Sequence, residues 1–312
     1  MDSSVILEPI PRTFEERAHR FFSSPTLVKC LMIARRFPYL FPRIPVPVKL
    51  FLGQWWLAEH SALDDAIVSG GFEGAEALFV RNFLRPGATV LDVGAHHGFY
   101  TLLASKCVGV TGRVIAFEPS PRERDRLYKH IRLNACANVR IETFALGSGE
   151  CETDLFLVDG TGDWCNSLRP PAVDAGTTRV RVRVKPLDDF VAEAKLPSVD
   201  FVKLDVEGAE LDAIKGATKL LTSKGRPVLM VEVYDSRTEP WGYKACEIVQ
   251  HLAALGYEWY QLDVNGRLES IATDRPVYDA NLIAIPAERP LALPNRPKST
   301  AHDREKEVEL VC

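Results

Sequence analysis

The sequence predicts an α/β fold: a doubly wound, mostly parallel Rossmann-like sheet with an antiparallel last strand. Three observations carry this expectation. Residues 88–98, Ala-Thr-Val-Leu-Asp-Val-Gly-Ala-His-His-Gly, read as a strand buried on both faces that passes through a glycine turn into a helix starting at Phe99. From there, apolar runs of strand length alternate with runs of helix length as far as Asn281-Leu-Ile-Ala-Ile285. The second strand, Arg113-Val-Ile-Ala-Phe-Glu118, ends on a carboxylate 20 positions after Gly98. In such sheets the ligand crevice lies outside the carboxyl ends of the strands, where strand order reverses. Asp92, Glu118, Ala145 and Asp205 all fall at such ends.

The chain opens differently. Thr13 with Glu16 makes a capping-box start, and between Arg17 and Lys49 there are seven basic residues and no acidic one, interleaved with Phe21, Phe22, Phe37, Tyr39 and Phe41. Two readings fit residues 1–70. They form a cap with its apolar side packed and its arginines solvated, or residues 17–50 lean on an anionic membrane surface or a lipid-linked substrate. Pro38, Pro42, Pro45 and Pro47 break this segment before a short edge strand at 46–52, and residues 71–84 read as a helix stopped by Pro86-Gly87.

The main domain is expected over 71–288. Its helices are read at 99–108, 120–135, 187–194, 209–223 and 243–255, and its strands at 113–118, 138–145, 199–205, 227–234, 257–263 and 281–285. An insertion over 148–186 interrupts the alternation with strands near 153–158 and 178–184 around a turn-rich loop. In that loop Trp164, Asn166 and Ser167 are candidate substrate contacts. Arg179, Arg181 and Arg183 share one strand face, read either as a solvated face or as an anion site. Residues 289–312, proline- and charge-rich without periodicity, are expected to be disordered.

Composition narrows the function classes. With 312 residues and 46% apolar content there is ample material for a core, and a formal charge of −4 gives no overall pull toward nucleic acid, so none is expected as a partner. Seven scattered cysteines without C-x-x-C spacing read as free cytosolic thiols. No run is long enough to span a bilayer and no leader pattern opens the chain, so a cytoplasmic location is expected, with the inner membrane face as a peripheral possibility.

The glycine turn and Glu118 point to a nucleotide-type cofactor, since an acidic residue at this spacing reaches a ribose diol. The turn is not G-x-G-x-x-G: His96 stands where the second glycine would let a pyrophosphate approach the backbone. S-adenosylmethionine, which has no pyrophosphate, therefore fits better than NAD. The Y-x-x-x-K pair of a short-chain nicotinamide oxidoreductase is also absent.

Taken together, VLDVGAHHG at 90–98, VIAFEPSP at 114–121, NVRIETFALG at 138–147, PLDDF at 186–190 and FVKLDVEGAELDAIKGA at 201–217 resemble the FkbM family of S-adenosylmethionine-dependent methyltransferases, over roughly residues 73–285. The resemblance implies a class I methyltransferase sheet. It implies that Gly94, Ala95 and Gly98 shape the turn for the methionine part, with Asp92 beneath and His96 at a position where the family usually has asparagine. It further implies that Glu118 accepts from the ribose hydroxyls, that Phe144, Ala145 and Leu146 border the adenine, and that Asp205 faces the sulfonium end. The implied acceptor is a hydroxyl or carboxyl oxygen of a small molecule, sugar, lipid-linked glycan or secondary metabolite, a hydroxyl first.

Methyl transfer to an alcohol gains from a positioned base. Asp205 and Glu207 are the first candidates and His97 the next, with His96 and Glu232 also at the expected rim. Quieter readings stand beside these: Asp92 can serve only the turn, and Glu207 and Glu210 can simply favour a helix start. No metal site is expected, although a metal-assisted variant could use Asp205 with Glu232 or Asp235. A non-catalytic cofactor-binding or membrane scaffold on the same fold is the alternative from a different class.

Overall fold

A computed structural model of the chain describes residues 45–50, 53–59, 61–159, 165–170 and 176–289. The basic stretch before residue 45, the tail after residue 289 and Trp164 lie outside the described residues. Strands β1 (Val46–Lys49) and β2 (Trp55–Ala58) pair antiparallel, and helices α1 (Ala62–Val68) and α2 (Gly74–Phe83) follow. The segment α1 was not anticipated, yet it carries a start signal. Ser61 Oγ accepts from the Asp64 backbone N–H, and the Asp64 carboxylate accepts from the Ser61 N–H.

The next elements fall where the periodicity places them: β3 (Thr89–Val93), α3 (Phe99–Val108), β4 (Arg113–Phe117) and α4 (Pro121–Leu133). The strand read over 138–145 divides in two. Its first half, β5 (Val139–Glu142), stays in the main sheet, while β6 (Ala145–Leu146) joins the insertion strands β7 (Cys151–Val158) and β8 (Thr177–Lys185) in a separate sheet of order β6-β8-β7. Helix α5 (Leu187–Glu193) and strand β9 (Phe201–Leu204) come next. The single helix read over 209–223 is two, α6 (Glu210–Lys215) and α7 (Thr218–Thr222). Gly216 lies between them, where a Cβ would stand 2.0 Å from the Gly147 carbonyl oxygen. The chain then runs through β10 (Val228–Tyr234), α8 (Asp235–Thr238), α9 (Ala245–Ala254), β11 (Tyr257–Leu262), β12 (Leu268–Ser270) and β13 (Asp279–Pro286).

The main sheet has the order β12-β11-β13-β10-β9-β3-β4-β5. Strands β10, β9, β3, β4 and β5 are parallel, and β13 is antiparallel to both β10 and β11. From β3 the winding goes outward on both sides, so β3 and β9 flank the switch point and the crevice opens at their carboxyl ends. Strand alternation sends Leu91, Ile115 and Val202 into one layer with α5, α6 and α9, and Val90, Val114 and Phe201 into the other with α2 and α3. Trp56 and Ile67 belong to that second layer, so the described part of the N-terminal segment is built into the same core as the sheet.

The arginine face of β8 is neutralised across the ladder. Arg183 pairs with Glu150 at 3.0 Å, Arg181 with Asp154 at 3.3 Å, and the Arg179 guanidinium lies over the Phe156 ring. Two of its three arginines are thus paired with carboxylates and the third lies over an aromatic ring. Cys107, Cys136, Cys151 and Cys246 are free thiols, and among the described residues no helix is long and apolar enough to cross a membrane.

The Gly216 contact is backbone against backbone, so a side chain there cannot swing aside. Gly216→Ala is expected to lower stability by about 2 kcal/mol in urea unfolding, with an unchanged m-value. A loss below about 0.5 kcal/mol would mean that the 147–216 contact opens at little cost.

Candidate active site

The turn after β3 is fixed by the neighbouring strand ends. Gly94 and Ala95 both donate their backbone N–H to the Phe117 carbonyl, and the Asp205 N–H donates to the Val93 carbonyl. Gly94 has φ +81°, and a Cβ there would sit 1.8 Å from the Asp205 carbonyl oxygen, so only glycine lets β9 close against the turn. Gly98 receives the Leu127 side chain of α4, 2.4 Å from where its Cβ would be. His96 adopts φ +50° and aims its backbone N–H at Glu118 Oε2, 2.7 Å away, while Ser120 N–H donates to Oε1 at 2.8 Å. Burial pushes the Glu118 carboxyl up to about 8 despite those two donors. Asp92 is 1% exposed; its Oδ2 accepts from Thr101 and its Oδ1 has no partner. Burial raises its pKa as well.

Opposite the turn lies a group of carboxylates that share two cations. Lys203 is buried in the middle of β9, with Nζ 2.6 Å from Asp205 Oδ2 and 4.8 Å from the centre of the Tyr100 ring. The Tyr100 hydroxyl donates to Glu73 Oε2 at 2.6 Å. Glu207, at φ +54°, pairs through Oε2 with Arg237 Nε at 3.0 Å. Burial and Asp205 nevertheless push Glu207 up to about 8, and burial pushes Glu73 to about 7. Glu232 has a buried Oε2 without a partner, and burial with the surrounding carboxylates drives its pKa well up. Glu210, read as a helix-start residue, closes the 205–209 loop by accepting from Val206 N–H and Gly208 N–H. Asp235 does not join the group: its two oxygens accept from Ala245 N–H and Tyr278 N–H.

The third wall comes from α1. Ala62, Leu63, Ala66 and Ile67, with Phe72 behind them, give the cavity an apolar side. A buried clasp ties α1 to the turn: Trp56 Nε1 and Arg126 Nη2 both donate to Asp64 Oδ1, at 2.8 and 2.6 Å, and Arg126 Nη1 lies 3.1 Å from His97 Nδ1. His130 bridges the Leu57 N–H and the His97 carbonyl and stacks on Trp56. Burial works against the Asp64 carboxylate, but Arg126 beside it holds it below the usual range. Burial holds His97 neutral and pushes His130 down to about 4.

These walls enclose one cavity of about 560 Å³. It gathers most of the residues singled out from sequence: Asp92, Gly94, Ala95, His96, His97 and Gly98 on the turn, Glu118 beside it, and Asp205, Glu207 and Glu232 across from it. Ala145 and Leu146 also line it, whereas Phe144 packs edge-on against Phe117 in the core and is absent from the lining. Asn166 reaches the cavity while binding Glu123, and Ser167 Oγ donates to the Glu207 carbonyl. Sequence reasoning missed Lys203, Glu73, Tyr100, Arg237 and the whole clasp. A lysine inside the apolar strand Phe201-Val-Lys-Leu204 was the available signal, because a buried ammonium needs carboxylate partners.

The family model for the FkbM methyltransferase domain matches residues 92–259, more than half of the chain. Among curated proteins, the chain is 26% identical over 211 residues to the antimetabolite synthetase AmbE of Pseudomonas aeruginosa. That alignment covers 56% of this chain and 10% of that protein. It is 27% identical over 154 residues to the 2-O-methyltransferase NoeI of Sinorhizobium fredii, covering 44% of this chain and 60% of that one. The chain thus spans only part of the length of these relatives. A solved FkbM methyltransferase from Methylobacillus flagellatus superposes with a TM-score of 0.42 at 16% identity, over 71% of this chain and 54% of that one.

Two outcomes follow from the clasp. Asp64→Ala strands the buried Arg126 charge and is expected to cost about 3 kcal/mol in urea unfolding. For His130, the unfolded state takes up its proton near 6.5 and the folded state only near 4. The stabilisation it gives is therefore complete above 6.5 and shrinks as pH falls through that window. The stability gap between the native chain and His130→Asn should narrow on going from pH 7 to pH 4.5; a constant gap would contradict a neutral, buried imidazole.

Proposed function

The chain belongs to the FkbM methyltransferase family, and we propose that it is an S-adenosylmethionine-dependent O-methyltransferase acting on a hydroxyl of a sugar, glycan or secondary metabolite. The observation that supports this best is the convergence of the Gly94 turn, the Glu118 carboxylate and the unpartnered Asp92 Oδ1 on one cavity. The fit to this cofactor is chemical. A carboxylate offers about four lone pairs, so Glu118 can accept from two ribose hydroxyls while keeping its bonds from His96 and Ser120. A buried unpaired carboxylate oxygen such as Asp92 Oδ1 is costly and suits a positively charged ligand. The name of the relative NoeI favours oxygen as the methylated atom.

When bound, the cofactor supplies a methyl carbon on a cationic sulfur, from which an acceptor oxygen displaces a neutral thioether. This chain's residues align the acceptor and exclude water. The apolar side formed by Leu63, Ile67 and Phe72 holds the acceptor's body, and the carboxylate side receives its hydroxyl edge. Asp205 would take the proton of the acceptor hydroxyl. Lys203, hydrogen-bonded to Oδ2, fixes that carboxylate in place. Glu207, engaged by Arg237 much as Asp205 is by Lys203, is the second candidate for the same task.

Three measurements test this reading. Glu118→Ala should weaken S-adenosylhomocysteine binding about tenfold or more in calorimetry. Ribose hydroxyl donors favour the ionised Glu118, so binding below about pH 8 should release a proton and strengthen as pH rises toward 8. That release appears as a buffer-dependent heat and should vanish in Glu118→Gln. Asp205→Asn should lower kcat by about a hundredfold or more, with cofactor affinity changed only a few-fold.

A further inference from the structure

We propose that Glu232 and Asp205 form a donor–acceptor pair that selects an acceptor with two adjacent oxygens, a vicinal diol or α-hydroxy carbonyl, with Glu232 donating to the oxygen beside the one that is methylated. The inference rests on the methyl-transfer reading of the cavity and deepens it by naming the substrate class. Its basis is how the cations are shared. One carboxylate oxygen from each of Asp205, Glu207 and Glu232 lies within 4.8 Å of the other two. Lys203 is committed to Asp205 at 2.6 Å, and Arg237 to Glu207 at 3.0 Å and to Cys165 Sγ at 3.5 Å. Among the described residues Glu232 has no ion-pair partner of its own, and its buried Oε2 has no hydrogen-bond partner.

The groups that face Glu232 are Asp205, Glu207 and Glu210 on one side and Arg237 on the other, with Tyr234 two residues along the same strand. Burial and three neighbouring carboxyl groups outweigh one shared guanidinium and raise the Glu232 carboxyl well above its usual range, which favours its protonated form. A neutral carboxyl is a hydrogen-bond donor, whereas the lysine-paired Asp205 offers an accepting oxygen. A single hydroxyl can satisfy only one of these needs well. Two oxygens on adjacent carbons satisfy both, the first giving its proton toward Asp205 and the second accepting from Glu232. The same division of proton-holding and proton-taking carboxyls underlies acid–base assignments in other sites.

The test uses the full chain with two small probes, cis-1,2-cyclohexanediol and cyclohexanol. They share an apolar ring and differ by one adjacent hydroxyl. Labelled methyl transfer from S-adenosylmethionine is followed, together with calorimetric binding in the presence of S-adenosylhomocysteine. The diol should be preferred about tenfold or more. Glu232→Gln keeps an N–H donor and should preserve that preference within a few-fold, while Glu232→Val should abolish it. The infrared carboxylic-acid absorbance at pH 7, to which Glu118 and Glu207 also contribute, should lose one component in Glu232→Gln. Equal response to both probes, no response to either, an equal loss for both probes in Glu232→Val, or no difference in the acid band would each overturn the proposal. Failure of S-adenosylhomocysteine to bind the native chain would instead sink the methyltransferase reading on which it rests.

Discussion

A lysine ammonium buried in the central sheet needs carboxylate partners, and this requirement organises the cavity. Lys203 is buried in the middle of β9, so its charge is met by Asp205 directly and by Glu73 and Asp92 at longer range. Those carboxylates belong to β9, the α2 entry and β3, so one charge draws the ends of separate elements together. Removing one member of such a buried set leaves the others uncompensated, which is costlier than never having buried them. The arrangement also fixes polarity. The strand ends supply acid in excess of base, and the excess faces inward, where a cationic cofactor sulfur and a proton-donating acceptor can offset it.

The other sides of the cavity depend on a different device. Helix α1 is short and could not hold its position by propensity alone. The clasp of Trp56, Asp64, Arg126, His97 and His130 locks it to the turn after β3, so the apolar wall and the turn move as one body. His97 thus has a structural task. Its carbonyl accepts from His130 and its Nδ1 faces Arg126, which constrains the ring more than a free proton shuttle would tolerate. Asp205, partly exposed and held by a single lysine, is better placed to take a proton.

What was legible in the sequence was what local pattern encodes. Buried runs such as Val90–Val93 fixed the sheet, Gly94 fixed the turn, and the carboxylate at Glu118 marked the crevice. What escaped depends on contacts distant in sequence. Phe144 sits beside Ala145 in the chain, but the backbone changes sheets between β5 and β6, and the ring is carried into the core against Phe117. The break at Gly216 follows from the approach of Gly147, some seventy residues away, which no helical period can register. The Arg126–Asp64 pair joins residues 62 positions apart. Single charged residues inside otherwise apolar or amphipathic runs, Lys203 above all, were the visible trace of this layer.

The two halves of the cavity place opposite demands on a ligand, and that opposition limits what can enter. Among the described residues, an anionic acceptor would meet Asp205, Glu207, Glu232 and Glu73, with Lys203 and Arg237, both already paired, to offset them. A wholly apolar acceptor would leave those carboxyls facing an empty or dry edge, with the desolvation cost unrecovered. An acceptor with one apolar face and one hydroxyl-rich edge meets both walls at once, and a sugar ring has that shape. Specificity of this kind comes from buried polar groups that become unpaired when the wrong molecule binds. The carboxylates that are costly to bury in the empty cavity are then the same groups that reject most competitors.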